Sequence, residues 1–203
     1  MRKEQANVVD LKNKILEVSY QVFSTYGYSG TSLNDITNRL NITRTPIYYH
    51  FNNKKNLYLA TAHWRLDKRF NVYKEVWEAD MPLLERIRKD LMTCMTTGVK
   101  ETTFFQESMT RVELSDVKQA YNEASMDVFK LKYEHLSKAK KEGQLEKYVD
   151  VIYLLRNMYM AYYGILKLLE YSVESLRLDA TGGELESFID ELVTKYFAQY
   201  IVE

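Results

Sequence analysis

The sequence predicts an all-α protein, with a small N-terminal three-helix domain built round a helix-turn-helix and a larger helical bundle behind it. Three observations lead there. Helix breakers are scarce, with 2 Pro and 7 Gly among 203 residues, while Leu, Lys, Glu, Tyr and Met are common. Apolar residues recur three and four apart along most of the chain. The stretch 31–51, TSLNDITNRLNITRTPIYYHF, reads as two short helices joined by a tight turn.

The first helix is expected after Asp10, a suitable N-cap, and to run to Tyr26. Ile15, Val18, Val22 and Tyr26 share one face, with Leu16, Ser19 and Phe23 beside them. Gly27 supplies a left-handed stop. Thr31 or Ser32 caps the second helix, with Asn34 or Asp35 as the capping partner, and Leu33, Ile36 and Leu40 form its buried stripe. Asn41 makes the turn, since Asn follows Gly in tolerance for the left-handed region. Thr43 is expected to cap the third helix. Pro46 falls in its first turn, where the backbone N–H has no helical partner to lose.

Ile42, Ile47 and Phe51 face inward, which turns Arg44, Thr45, Tyr48 and Tyr49 outward. An arginine and two tyrosines on the open side of a two-turn helix suit a recognition helix lying in the major groove of DNA. Arg44 would donate to guanine or phosphate, and the hydroxyls to backbone and base edges. Asn53 caps a fourth helix, whose first N–H groups and Lys54 would face the phosphates that His50 approaches. That helix carries Leu59, His63, Leu66, Phe70, Tyr73 and Trp77 in one stripe, until Asp80 and Pro82 end it.

Charge placement agrees. The whole chain has a formal net charge of zero, yet residues 1–57 hold eight basic groups against four acidic ones. A basic head on a mildly acidic body suits a small DNA-reading module on a larger one. A single cysteine, Cys94, excludes an intramolecular disulfide and fits a reducing cytosol. No apolar signal-peptide core precedes the first helix. The most apolar run, Val151 to Leu166, is interrupted by Arg156 and Asn157, so a cytoplasmic protein without a membrane span is expected.

The segment KILEVSYQVFSTYGYSGTSLNDITNRLNITRTPIYYHFNNKKNLYLA resembles the N-terminal domain of TetR-type one-component transcriptional regulators. Phe23, Gly27, Tyr28, Thr31, Ile36, Ile47, Tyr48, His50, Phe51 and Lys54 stand at the places the family pattern marks. Asn41 replaces the usual turn glycine, and Pro46 stands where a small residue is common. The resemblance implies a homodimer that binds palindromic double-stranded operator DNA and releases it when a small molecule enters the C-terminal domain. Residues 1–57 would be the DNA-binding domain and 58–203 the effector-binding and dimerisation domain. The expected DNA-contacting set is Thr31, Thr43, Arg44, Thr45, Tyr48, Tyr49, His50 and Lys54.

In the body, a fifth helix carries Leu84, Ile87, Leu91, Cys94 and Gly98 on one face, and a separate short segment is expected at Phe104–Met109. A long helix from about Ser115 to Glu142 follows, then one from Val151 to Tyr171 that is apolar nearly all round. All seven methionines after Met1 fall between residues 81 and 160, accompanied by many aromatics. Flexible, polarizable Met and aromatic rings suit a cavity for a lipophilic or aromatic compound. Met95, Phe105, Met109, Tyr121, Met126, Phe129, Tyr159 and Tyr163 are the expected lining, with Asn157 fixing orientation. Filling an ordinary core is the competing role for each.

The last helix, from about Gly183, has the cleanest amphipathic pattern. Leu185, Phe188, Ile189, Leu192, Val193, Tyr196 and Phe197, with Tyr162 and Leu166 from the preceding helix, would form a four-helix dimer interface. His50, His63 and His135 have no metal-ligand spacing, and there is no phosphate loop or nucleophile elbow, so neither a metal, a cofactor nor an enzyme is expected. A ligand-released repressor is the reading that results. The alternative is a DNA-bound interaction protein whose output is a protein partner.

Overall fold

In the computed structural model, which describes residues 2–169, 177–179 and 183–202, the chain folds as α-helices. They are α1 (Arg2–Gly30), α2 (Leu33–Leu40), α3 (Thr45–Phe51), α4 (Lys54–Glu78), α5 (Leu83–Thr110), α6 (Ser115–Lys141), α7 (Val151–Leu169) and α8 (Glu184–Leu192). Among the described residues there is no strand beyond one isolated antiparallel bridge, Leu145 to Ile201, and no helix is long and apolar enough to cross a membrane.

Packing divides the chain into two units, Met1–Arg69 with Lys100–Ser125, and Phe70–Val99 with Met126–Glu203. The first unit is therefore larger than residues 1–57: parts of α4, α5 and α6 complete the core under the helix-turn-helix. That core gathers Ile15, Val22 and Phe23 from α1, Ile36 from α2, Ile47 and Phe51 from α3, and Leu57, Tyr58 and Leu66 from α4. Phe104, Phe105, Leu114 and Val117 close it. Three rings interlock at its centre, with Tyr58 4.8 Å from Phe104 and 4.9 Å from Phe23, spacings at which aromatic pairs attract beyond their area. The Tyr58 hydroxyl donates to the Phe104 carbonyl, which satisfies the one polar atom such a ring carries inside. Burial pushes that phenol well above the ordinary tyrosine range.

At the edge of this unit Arg65 and Arg69 on α4 share Glu101 of α5, at 3.0 and 3.2 Å. Tyr20 and Tyr121 lie against the two guanidiniums. Burial drives the Glu101 carboxyl up, while the two arginines pull it back, and the balance leaves it raised.

The second unit is built from Tyr73 and Trp77 of α4, Leu83, Ile87 and Leu91 of α5, Val128 and Leu136 of α6, Leu154 and Met158 of α7, and Ile189 of α8. A buried ion pair sits in it: Lys132 Nζ is 2.7 Å from Asp90, whose other oxygen accepts from Trp77 Nε1 at 2.7 Å. The faces of Tyr73 and Tyr159 flank the ammonium at 4.7 and 5.4 Å. Burial alone would lower the lysine pKa, but the Asp90 carboxylate outweighs it and holds the amine above the ordinary lysine range.

Several expectations change. α1 starts well before Asp10, which is an exposed residue inside the helix pairing with Lys14 at 2.7 Å rather than an N-cap. Gly98 lies within α5, which runs unbroken through Phe104–Met109, so the separate segment does not exist. His63 is exposed and Leu59 half-buried; the inward stripe of α4 instead runs through Leu57, Tyr58, Thr61, Ala62 and Leu66. α8 stops at Leu192, and the chain continues as a π turn, Val193–Phe197, and a 3₁₀ turn, Ala198–Tyr200. The expected end of the preceding helix, residues 170 and 171, lies outside the described residues.

Candidate nucleic-acid interface

The helix-turn-helix is fixed by three local devices. Ser32 accepts from the Asp35 N–H at 3.3 Å, and the Asp35 carboxylate accepts from the Ser32 N–H at 2.7 Å, a reciprocal capping box that starts α2. The Ser32 backbone bond holds the Asp35 carboxyl below its ordinary range. Asn41 ends α2 at φ 53, ψ 46, in the left-handed region, and Ile42 N then donates back to Thr37 at 3.1 Å. The third device is apolar: Ile47 is fully buried and Phe51 nearly so, which pins α3 by one side and fixes what the other side shows.

That other side is open. Arg44, Thr45, Tyr48 and Tyr49 are all exposed, Tyr48 by 47% and Tyr49 by 79% of their surface. Neither aromatic is buried in the core beneath this seven-residue helix. Arg44 is the N-cap residue of α3 and already has helical dihedrals, so its side chain leaves from the start of that helix. After α3, Asn52 turns the chain at φ 64, and the Asn53 side chain accepts from Asn56 N at 2.8 Å to start α4. Lys54 follows directly, its ammonium 4.4 Å from the centre of the Tyr28 ring, and desolvation there lowers its pKa. His50 is half-buried between the rings of Tyr49 and Phe51.

One of the expected contact residues is placed differently, and another loses its expected capping role. Thr31 is buried and its hydroxyl donates to the Gly27 carbonyl at 2.7 Å, so it closes the turn between α1 and α2 and offers nothing outward. Thr43 is exposed as a contact residue should be, but it does not cap α3, which has no side-chain cap. One residue escaped the sequence reading. Asn34 on α2 accepts from Arg44 Nε at 2.7 Å across the turn.

The head is also gripped from behind. Glu107 on α5 accepts from the Ser29 N–H at 3.1 Å and from the Ser29 hydroxyl at 2.6 Å, and it pairs with Arg111 at 2.8 Å. Gly27 has φ 70 and ψ 175, a conformation that essentially only glycine adopts, and a Cβ there would overlap the Glu107 carboxylate. Burial opposes ionisation of Glu107, yet the Ser29 and Arg111 bonds prevail and lower its pKa.

The residues expected to line a ligand cavity do not share one core. Phe105, Met109 and Tyr121 belong to the first unit, where Phe105 and Tyr121 pack with ring centres 4.8 Å apart. Met95, Met126, Phe129, Asn157, Tyr159 and Tyr163 belong to the second. Of these, Met126 and Tyr163 are more than half exposed and line no interior, because each points from the outer side of its helix. Met95 and Asn157 are buried, and Phe129 and Tyr159 partly so. Asn157 accepts from the Tyr196 hydroxyl at 3.2 Å, while its buried Nδ2 has no acceptor among the described residues.

The expected dimer face divides as well. Ile189, Val193 and Phe197 are fully or almost fully buried in the core of the second unit, so they hold α8 to its own chain. Leu185, Phe188 and Leu192 remain partly exposed, Tyr196 more so, together with Tyr162 and Leu166 of α7.

Residues 15–61 match the family described as bacterial regulatory proteins, tetR family. The chain is 44% identical over 62 residues to the biofilm operon icaADBC HTH-type negative transcriptional regulator IcaR of Staphylococcus aureus. That alignment covers 30% of this chain and 33% of the relative, so the chain spans about a third of the length of the curated relatives it matches. The fold extends much further. A transcriptional regulator of Saccharomonospora viridis, solved in complex with choline, superposes with a TM-score of 0.72 at 17% identity, covering 96% of this chain and 99% of that one. A TetR/AcrR-family regulator of Thermobifida fusca gives 0.68 at 19%, covering 92% and 98%. The capping box, the Asn41 turn and the open side of α3 all lie inside the segment that matches the tetR family of bacterial regulatory proteins.

Proposed function

We propose that the chain is a ligand-responsive transcriptional repressor that reads a palindromic operator as a homodimer in the cytoplasm. Residues 1–57 form its DNA-binding head, and 58–203 its effector-binding and dimerisation body. The observation that carries the reading is the asymmetry of α3. Ile47 and Phe51 are locked inside while Arg44, Thr45, Tyr48 and Tyr49 stand open. A helix of that kind at the front of a capped turn fits the major groove, with Arg44 on guanine or phosphate and the hydroxyls on the duplex edges. Thr43, His50 and Lys54 flank it and suit phosphates. The description of the S. aureus relative as a negative regulator favours repression over activation.

Release by a small molecule rests on the body. The orphaned Asn157 donor lies in the same unit as Met95, Phe129 and Tyr159, and suits a lipophilic or aromatic compound carrying one hydrogen-bond acceptor. The exposed Tyr153, Met160 and Tyr163 on α7 favour a second reading, in which the output is a protein partner docked on the body.

A mobility shift with purified full-length protein and the DNA upstream of its own gene tests the proposal. Specific retention, abolished by one compound from a lipophilic library, is the expected result. Retention that no compound alters, with a co-purifying protein instead, supports the second reading. No sequence-dependent retention refutes both.

A further inference from the structure

The open face of α3 has a support that lies outside α3. Arg44 Nε donates to the Asn34 side-chain oxygen at 2.7 Å, from a residue ten positions earlier on the preceding helix. Both residues are exposed, so the bond is not a by-product of core packing. A guanidinium has five N–H donors in a planar fork. Fixing Nε on one acceptor fixes the rotation of that plane and leaves the two terminal nitrogens to donate together. Those two are the donors that a guanine O6/N7 edge takes side by side.

The backbone sets up the same arrangement. Asn34 lies in the first turn of α2, held by the Ser32–Asp35 capping box, and Arg44 is the residue from which α3 starts. The Asn41 turn brings these two helix beginnings together. An unsupported arginine at an exposed helix start would sample many rotamers, and ordering it on DNA costs free energy.

We infer that Asn34 is a specificity-positioning residue: it orients Arg44 before DNA arrives, so that Arg44 reads a guanine through its two terminal nitrogens. This rests on the DNA-reading function proposed above. Asn34 then acts through Arg44 and not through a contact of its own.

Selection from a library of randomised DNA duplexes with the full-length protein supplies the probe, and affinities are measured on the selected duplex and its single-base variants. With Asn34→Ala, discrimination at one base position should fall by about 2- to 12-fold, the weight of leaving one rotamer-rich side chain unordered. Binding to a random duplex should stay unchanged, which a merely structural role in α2 would not allow. Asn34→Asp, which keeps the acceptor, should restore discrimination at that position. In the Arg44→Ala background, Asn34→Ala should add nothing.

An equal loss from Asn34→Ala in both backgrounds would mean that Asn34 touches DNA itself, and would overturn the inference. So would discrimination that is unchanged in Asn34→Ala. If the wild-type protein selects no sequence at all, the DNA-reading function fails and takes the inference with it. A selected sequence with an indifferent Asn34 refutes the positioning role alone.

Discussion

Gly27→Ala is the substitution on which the architecture of the head can be judged most sharply. At φ 70 and ψ 175 an alanine is strained whatever surrounds it, and holding a non-glycine residue in such a region costs about 1–3 kcal/mol. The added methyl also has to displace the Glu107 carboxylate, which loosens the two Ser29 hydrogen bonds. Those bonds lie at a partly exposed site, so their loss adds roughly 1 kcal/mol after screening. The sum is about 2–4 kcal/mol, and for a chain of this length each kcal/mol lowers the melting temperature by about 2–4 °C. Urea denaturation followed by circular dichroism measures it. The same substitution in a Glu107→Ala background isolates the backbone part, and its cost there should be smaller by about 1 kcal/mol. A Gly27→Ala protein within about 0.5 kcal/mol of wild type would refute both the strained turn and the clamp behind it.

Three further outcomes follow from the same contacts. Because Glu107 is held below the ordinary carboxylate range, its contribution is complete above a pH of about 4.3 and is lost as the pH falls through the folded value. The stability gap between wild type and Glu107→Gln, from thermal melts at stepped pH, should therefore be constant near neutrality and close under acid; a gap that widens under acid contradicts the assignment. Lys132→Met leaves Asp90 buried with Trp77 as its one donor among the described residues and should cost about 3–5 kcal/mol in urea denaturation. Adding Asp90→Asn to Lys132→Met should recover much of that loss. On α8, Ile189→Ala should lower stability by about 2–5 kcal/mol, whereas Phe188→Glu, on the proposed dimer face, should shift sedimentation from the proposed dimer to monomer with the fold intact. A monomeric Ile189→Ala of undiminished stability would reverse the assigned roles.

The head was legible because its signals are short-range and chemically narrow. Ser32 with Asp35 three residues on, Asn41 between two apolar stripes, and Pro46 in a first turn each admit few backbone solutions, and the structure adopts them. Contacts across long separations were not legible. Glu107 reaches Ser29 over 78 residues, and Asn34 meets Arg44 only because the turn folds one helix start onto the other. Thr31 shows the ambiguity of a single hydroxyl: the same residue suits a phosphate or the Gly27 carbonyl, and the second is where it goes.

In the body, competing forces decided what pattern alone left open. A glycine in a helix interior costs only about 1 kcal/mol, so Gly98 did not stop α5, whose buried residues run on both sides of it. The stripe of α8 was wide enough to serve two neighbours, and periodicity cannot say which part faces which. Ile189, Val193 and Phe197 turn to their own core, leaving Leu185, Phe188 and Leu192 at its margin. The methionines and aromatics share a composition without sharing a place, since burial separates Met95 from Met126 on physical grounds that the sequence does not display.

The claim that the open side of α3 reads DNA sequence is tested most directly by the specificity ratio of the full-length protein. The quantity is its affinity for a selected duplex over that for a scrambled one, at a single stated salt concentration. A ratio of about 10³ or more is expected for the wild type. It should fall by roughly 5- to 150-fold in Arg44→Ala, with the affinity for the scrambled duplex reduced far less. A wild-type protein that binds the two duplexes alike, or an Arg44→Ala protein that keeps the full ratio, would contradict it.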